Sequence, residues 1–123
     1  MKVAVPVEED RGLESPIDEH FGHAPYFAIA ELDGGEVKRL EILENPYAAE
    51  HGPGQVPGWL AEMGVEVLVA RGMGWRALEF FESYGIRVYR GASGTLGDVL
   101  RALAEGSIRD REYEPREKWG GPP

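Results

Sequence analysis

Ten residues, 18–27 (DEHFGHAPYF), concentrate the side chains of this chain that are equipped for chemistry. They hold His20 and His23, two of the three histidines, with Gly22 between them and Phe21, Tyr26 and Phe27 alongside. Neutral imidazoles ligate iron, zinc or copper and exchange protons near neutral pH. The stretch therefore reads either as part of a ligand site or as the packed start of a strand. His51 is the third histidine, and there is no cysteine. That absence removes thiolate nucleophiles, disulfides, zinc knuckles and thiolate-held iron–sulfur cages, so a soft metal would have to be held by His, Met or carboxylates.

At 123 residues, 42% hydrophobic and 28% charged, the chain suits one soluble domain whose core needs neither disulfide nor structural metal. No apolar run approaches the roughly 20 residues that span a bilayer. The start, MKVAVPVEED, turns acidic too soon for a signal peptide, so a cytoplasmic protein is expected. A net charge of −9 argues against nucleic acid or an anionic membrane as partner, though it leaves room for a local basic pocket. Asn45 and Gln55 are the only side-chain amides and Arg outnumbers Lys, in keeping with a heat-adapted source.

Periodicity supplies the elements that must position these residues. Residues 2–7 (KVAVPV) form a Val-rich run ended by an acidic loop, which predicts a buried first strand. YFAIAELD (26–33) and EVKRLEIL (36–43) flank Gly34-Gly35, the linker of a tight hairpin. A Pro- and Gly-rich loop then leads to a short helix over 55–63. Gly64, Gly85 and Gly106 recur at equal spacing, the first two ahead of the strand-like runs VEVLVA and IRVYR, the third ahead of SIRD. Between them, Ala77, Leu78, Phe81 and Tyr84 mark a helix over 76–84, and Leu96, Val99, Leu100 and Leu103 one over 96–105. Thr95 and Asp98 resemble a capping box. The order βββαβαβα predicts a mixed five-stranded α/β sheet with flanking helices, strand order 3-2-1-4-5, strand 2 antiparallel to the rest. The domain spans 1–110, and the charged segment 111–123 is expected to be a mobile tail.

Ligands of open α/β sheets gather outside the carboxyl ends of the strands. That rim should receive the loop carrying Glu8–Asp10, Asp18, His20 and His23, the loop with Asn45 and His51, and the turns RGMG (71–74) and GASGT (91–95). Each has a plainer reading: loop histidines are usually solvated, the glycine turns are first of all helix entries, and Ser93 and Thr95 are turn and cap residues. The functional reading is imidazoles for a metal, with backbone N–H groups and Arg71 for an anion.

Taken together, PIDEHFGHAPYF, ENP at 44–46, His51, RGMGWRA and GASGT resemble the dinitrogenase iron-molybdenum cofactor biosynthesis family, which includes NifX-like proteins and the C-terminal part of NifB. The likeness runs from residue 1 to about 110. It implies a ribonuclease-H-like α/β fold and a non-enzymatic carrier that binds an iron–sulfur or iron–molybdenum type cofactor or precursor transiently, between a cofactor-donating and a cofactor-accepting protein. It further implies a site drawn from His20, Phe21, Gly22, His23, Asn45, His51, Arg71, Gly72, Gly74, Ser93 and Gly94, with His20 and His51 as metal ligands and Asp18 or a backbone carbonyl orienting the His20 ring. The family commonly carries Arg where this chain has His23. Without thiolates, a cluster would be held labilely, as suits a carrier. Two other readings stay open: a small-anion or protein-interaction module, and a ribonuclease-H-like nuclease, for which the adjacent-strand carboxylates are lacking.

Overall fold

A computed structural model describes residues 1–50, 52 and 54–111. The strands are β1 (Lys2–Val7), β2 (Tyr26–Asp33), β3 (Glu36–Glu44), β4 (Val67–Val69) and β5 (Arg87–Tyr89), and the helices are α1 (Gln55–Glu62), α2 (Trp75–Ser83) and α3 (Leu96–Glu105). They form one five-stranded sheet in the order β3-β2-β1-β4-β5, the expected order. β2 is antiparallel to both neighbours, while β1, β4 and β5 run parallel. The fourth and fifth strands begin later and end sooner than their apolar runs, at Val67–Val69 and Arg87–Tyr89. Val65 and Ala70 are nonetheless buried on either side of β4.

Central placement explains the valines of β1. Val3, Val5 and Val7 pack with Ala28 and Ala30 against Leu96, Val99 and Leu100 of α3, whereas Ala4 turns to the other layer, where Val56, Leu60 and Phe81 come from α1 and α2. Burial on both faces is why the strand reads as a continuous apolar run rather than an alternating one. At the β2–β3 hairpin, Gly34 and Gly35 have φ of +60° and +83°, the left-handed pair that a two-residue turn between Asp33 and Glu36 demands. In α3 the Thr95–Asp98 capping box forms as expected, and Gly106 closes the helix in the left-handed conformation. In α2, by contrast, Tyr84 follows the helix as an exposed cap residue, and the buried anchor is Phe81.

The layer under α1 and α2 is held by edge-to-face rings. Phe21 sits 5.3 Å from Phe81 and 5.9 Å from Phe27, and Phe27 sits 5.8 Å from Trp59. Such pairs add to area burial because the positive ring edge meets the negative face. Phe81, fully buried at the centre, fixes α2 to the sheet. Phe81→Ala should therefore cost about 3–5 kcal/mol, read as a lower urea midpoint with an unchanged denaturant slope.

Candidate functional site

The rim at the carboxyl ends of β1, β4 and β5 is built around one inserted segment. β1 and β4 pair only at Val3↔Val67 and Ala4↔Leu68. Beyond that ladder stands Pro6, which has no N–H to give a neighbour. Residues 15–18 lie along the end of β1: Glu8 N–H donates to Pro16 O at 2.9 Å and Asp18 N–H to Pro6 O at 3.0 Å. Their other edge bonds to the entry of α3, Leu96 N–H donating to Ser15 O at 2.8 Å and Ile17 N–H to Gly94 O at 3.0 Å. Ser15 is fully buried and its Oγ accepts from Arg11 N–H at 2.8 Å, closing the turn before the segment.

This segment delivers the histidine loop to the glycine turn after β4. The backbone of His20 forms a parallel bridge with buried Gly72. Asp18 Oδ1 accepts from the backbone N–H of His20 at 2.7 Å. The carboxylate expected to orient the imidazole thus fixes the main chain instead. His23 is exposed, and its Nδ1 lies 3.0 Å from Ala48 O. A carbonyl only accepts, so Nδ1 carries the proton and the lone pair of the neutral ring is on Nε2, the arrangement typical of a histidine ligand. Asn45 is buried: its amide donates to Gly22 O at 3.2 Å and Ala24 O at 2.9 Å, and its Oδ1 accepts from Tyr47 N–H at 2.9 Å. It braces the loop from below. Phe21 is buried in the aromatic layer and also lines a cavity of about 260 Å³ with Gly52, Gly54, Arg76, Ala77 and Phe80.

The two glycine turns, alike in sequence, differ in their free donors. At α3, Thr95 N–H goes to Asp98 Oδ2, Leu96 N–H to Ser15 O and Asp98 N–H to Thr95 Oγ1. At α2 the cap is Gly74, with no side-chain cap and no acid in the first turn. Any anion-directed backbone donors are thus on the α2 side, where Arg76 also lies; its guanidinium stacks 5.5 Å from the exposed Trp75 ring. Arg76 stands in the same RGMGWRA stretch as Arg71, but no spacing in the sequence marks it as a site residue.

The rest of the rim is acidic. The Glu8 carboxyl is pushed above its ordinary value, first by partial desolvation beside the inserted segment and then by repulsion from Asp18 and Glu9, with Arg71 pulling the other way. Arg71 thus exerts an opposing pull on the Glu8 carboxyl. Of the residues expected here, His20, Phe21, Gly22, His23, Asn45, Arg71, Gly72 and Gly74 belong to this side of the rim. Ser93 lies instead in a separate cavity, behind the entry of α3, and Gly94 gives its carbonyl to Ile17. His51 falls outside the described residues. Among the described residues no group of three or more His, Asp or Glu is placed to hold a metal ion. Nor is any helix among them long and apolar enough to cross a membrane.

A mixed α/β sheet with its loop-borne site at the strand ends defines the class of this protein, and comparison with known proteins supplies the family. The family model described as dinitrogenase iron-molybdenum cofactor matches residues 1–106, and the chain belongs to that family. An uncharacterised protein of Methanocaldococcus jannaschii is 32% identical over 114 residues, covering 91% of this chain and 92% of its own. The crystal structure of PH0822 superimposes with a TM-score of 0.81 at 37% identity, over 90% of this chain and 96% of that one. A solution structure of a Thermotoga protein proposed to be a NifB, of the DUF35 family, has a TM-score of 0.74 at 33% identity, over 94% and 97%.

Two outcomes follow from the site's construction. Asn45→Ala leaves the Gly22 and Ala24 carbonyls without their buried donor and should cost about 1–3 kcal/mol, with the amide signals of residues 20–24 broadened or moved. Because the Glu8 pKa is raised, folding favours its protonated form: stability is full at acid pH and is lost as pH rises through the carboxylate range. Glu8→Gln should therefore raise the urea midpoint at pH 7, and the gain should shrink as the pH falls toward 4.

Proposed function

We propose that this protein is a non-enzymatic binding and carrier protein for an iron–sulfur or iron–molybdenum type cofactor or its precursor, received from one protein and passed to another in nitrogenase-type cofactor assembly. The observation that carries the reading is the bridge between His20 and Gly72, which sets the histidine loop against the α2 entry beside the cavity lined by Phe21 and Arg76. Membership of the dinitrogenase iron-molybdenum cofactor family supports it independently.

The cargo is held from the histidine side and balanced from the helix side. His20 is the principal imidazole ligand, His51 the second, and His23 a third donor whose proton is committed to Ala48. Gly72 and Gly74 let the main chain come close, and Arg71 with Arg76 offsets the charge of an anionic cluster. Phe21 and Phe80 supply the apolar wall that keeps water from an oxygen-sensitive metal centre. With imidazoles and no thiolates, the cargo exchanges readily, which is what transfer between two proteins requires. Cargo handling of this kind places the protein in the cytoplasm.

A second reading, a small-anion module, is favoured by the uncapped α2 entry and Arg76. The two are separated by anaerobic incubation of the full chain with isolated cofactor precursor, followed by gel filtration and metal analysis. Iron should co-elute with the parent protein, and His20→Ala should reduce apparent affinity by about tenfold or more. Failure of the parent to retain iron, with anion-induced amide shifts at Gly72 and Gly74, would replace the carrier reading with the second one.

A further inference from the structure

The cavity that takes Ser93 is distinct from the one beside the histidine loop and has a different chemistry. It lies between α3 and the segment that follows it, has a volume of about 160 Å³, and is lined by Ser93, Asp98, Arg109 and Arg111 among others. In a chain of net charge −9, two arginines on one small cavity are a local reversal of sign.

Between them in sequence stands Asp110. Its Oδ1 accepts from Arg90 N–H at 2.7 Å and Nε–H at 3.0 Å, and its Oδ2 from Nη2–H at 2.9 Å, a two-pronged clamp. The Arg90 side chain is only 16% exposed, so this clamp is partly withdrawn from water. Arg90 also holds its carboxyl below the ordinary carboxylate range. One residue on, Arg111 N–H donates to Arg90 O at 2.9 Å. Gly91, at φ +86°, receives Arg111 so closely that a Cβ there would lie 2.9 Å from Arg111 Cβ. With Asp110 held by Arg90, the flanking Arg109 and Arg111 both line the cavity. Among the described residues neither guanidinium has a carboxylate partner. The one acid of the cavity, Asp98, is already engaged by the Thr95 N–H and by Arg101 at 3.3 Å.

We propose that this cavity is a second binding site, for a phosphate-class tetrahedral oxyanion, gripped by Arg109 and Arg111 with the Ser93 hydroxyl donating a third bond. Guanidinium forks match such an anion in geometry as well as charge. The site does not depend on cofactor carriage: it shares no lining residue with the cavity beside the histidine loop.

The test is a titration of the full chain at constant ionic strength with sodium phosphate, an alkyl phosphate monoester and sodium chloride, followed by amide and arginine Nε–H NMR signals. Saturable shifts at Ser93, Arg109 and Arg111 with both phosphates and not with chloride are expected. Tighter binding of the monoester would assign a phosphorylated metabolite, and equal or weaker binding the free ion. Loss of either arginine in Arg109→Ala or Arg111→Ala should weaken phosphate about tenfold, with the chemical shifts of α3 retained as proof of folding. Asp110→Ala should weaken it with both arginines present. Absence of saturation in the parent, equal shifts with chloride, or unchanged affinity in both arginine variants would overturn the proposal.

Discussion

The arrangement on which the rim depends is the separation of β1 from β4 beyond Ala4. A parallel ladder that ran to the ends of both strands would leave no edge for the loop to join. Pro6 supplies no donor for such an extension, and its carbonyl takes the Asp18 N–H instead. Residues 15–18 consequently bond on both sides, to β1 and to the entry of α3. Their position decides where His20 meets Gly72 and how the α3 terminus is satisfied. Ligand-binding crevices of open α/β sheets form where strand connections diverge to opposite sides. Here the divergence is filled by main chain, which narrows a generic crevice to the smaller space between the histidine loop and α2.

Much of this was legible because it is local. Gly34-Gly35 between two apolar runs dictates the hairpin, Thr95 with Asp98 the start of α3, and the leucine stripe its buried face. The sheet order follows from the βαβ units and the single antiparallel hairpin. What escaped the sequence reading depends on contacts between distant segments. Asn45 looks like a site residue, yet its side-chain bonds go to main chain, because the loop it supports arrives from another part of the chain. Asp18 looks like a partner for an imidazole and caps a turn. Ser93 and Gly72 occupy similar turns, but the inserted segment covers the α3 side and leaves the α2 side open. Arg111 was expected in a mobile tail and is hydrogen bonded to Arg90. No short-range pattern distinguishes these cases, since each is decided by which backbone edge is already occupied.

Electrostatics divides the molecule in a way that net charge conceals. The first loop gathers Glu9, Asp18 and Glu19 about Glu8, with Arg71 as the opposing charge, so an anion approaching from that side meets repulsion. Arg76 and the uncapped α2 entry face the adjoining cavity with the opposite polarity. If the protein carries a cofactor as proposed, it would bind it through a small number of directed groups against an unfavourable background. Such a balance favours release, because each ligand lost on transfer removes a large share of the total attraction.

The segment 15–18 also has a kinetic meaning. Its bonds to Gly94 and Leu96 join it to the entry of α3, so they close one of the largest loops in the fold and form only once that entry has been made, whereas those to Pro6 and Glu8 are local. Contacts of high sequence separation are slow to gain and contribute little to early folding. The hairpin and the bonds of Pro16 and Asp18 to β1 need only nearby chain, and the bonds to α3 are the long-range ones. A chain cut short before Gly94 would keep every histidine and the bonds of Pro16 and Asp18 to β1, and would lose the second edge that pins the loop from the α3 side.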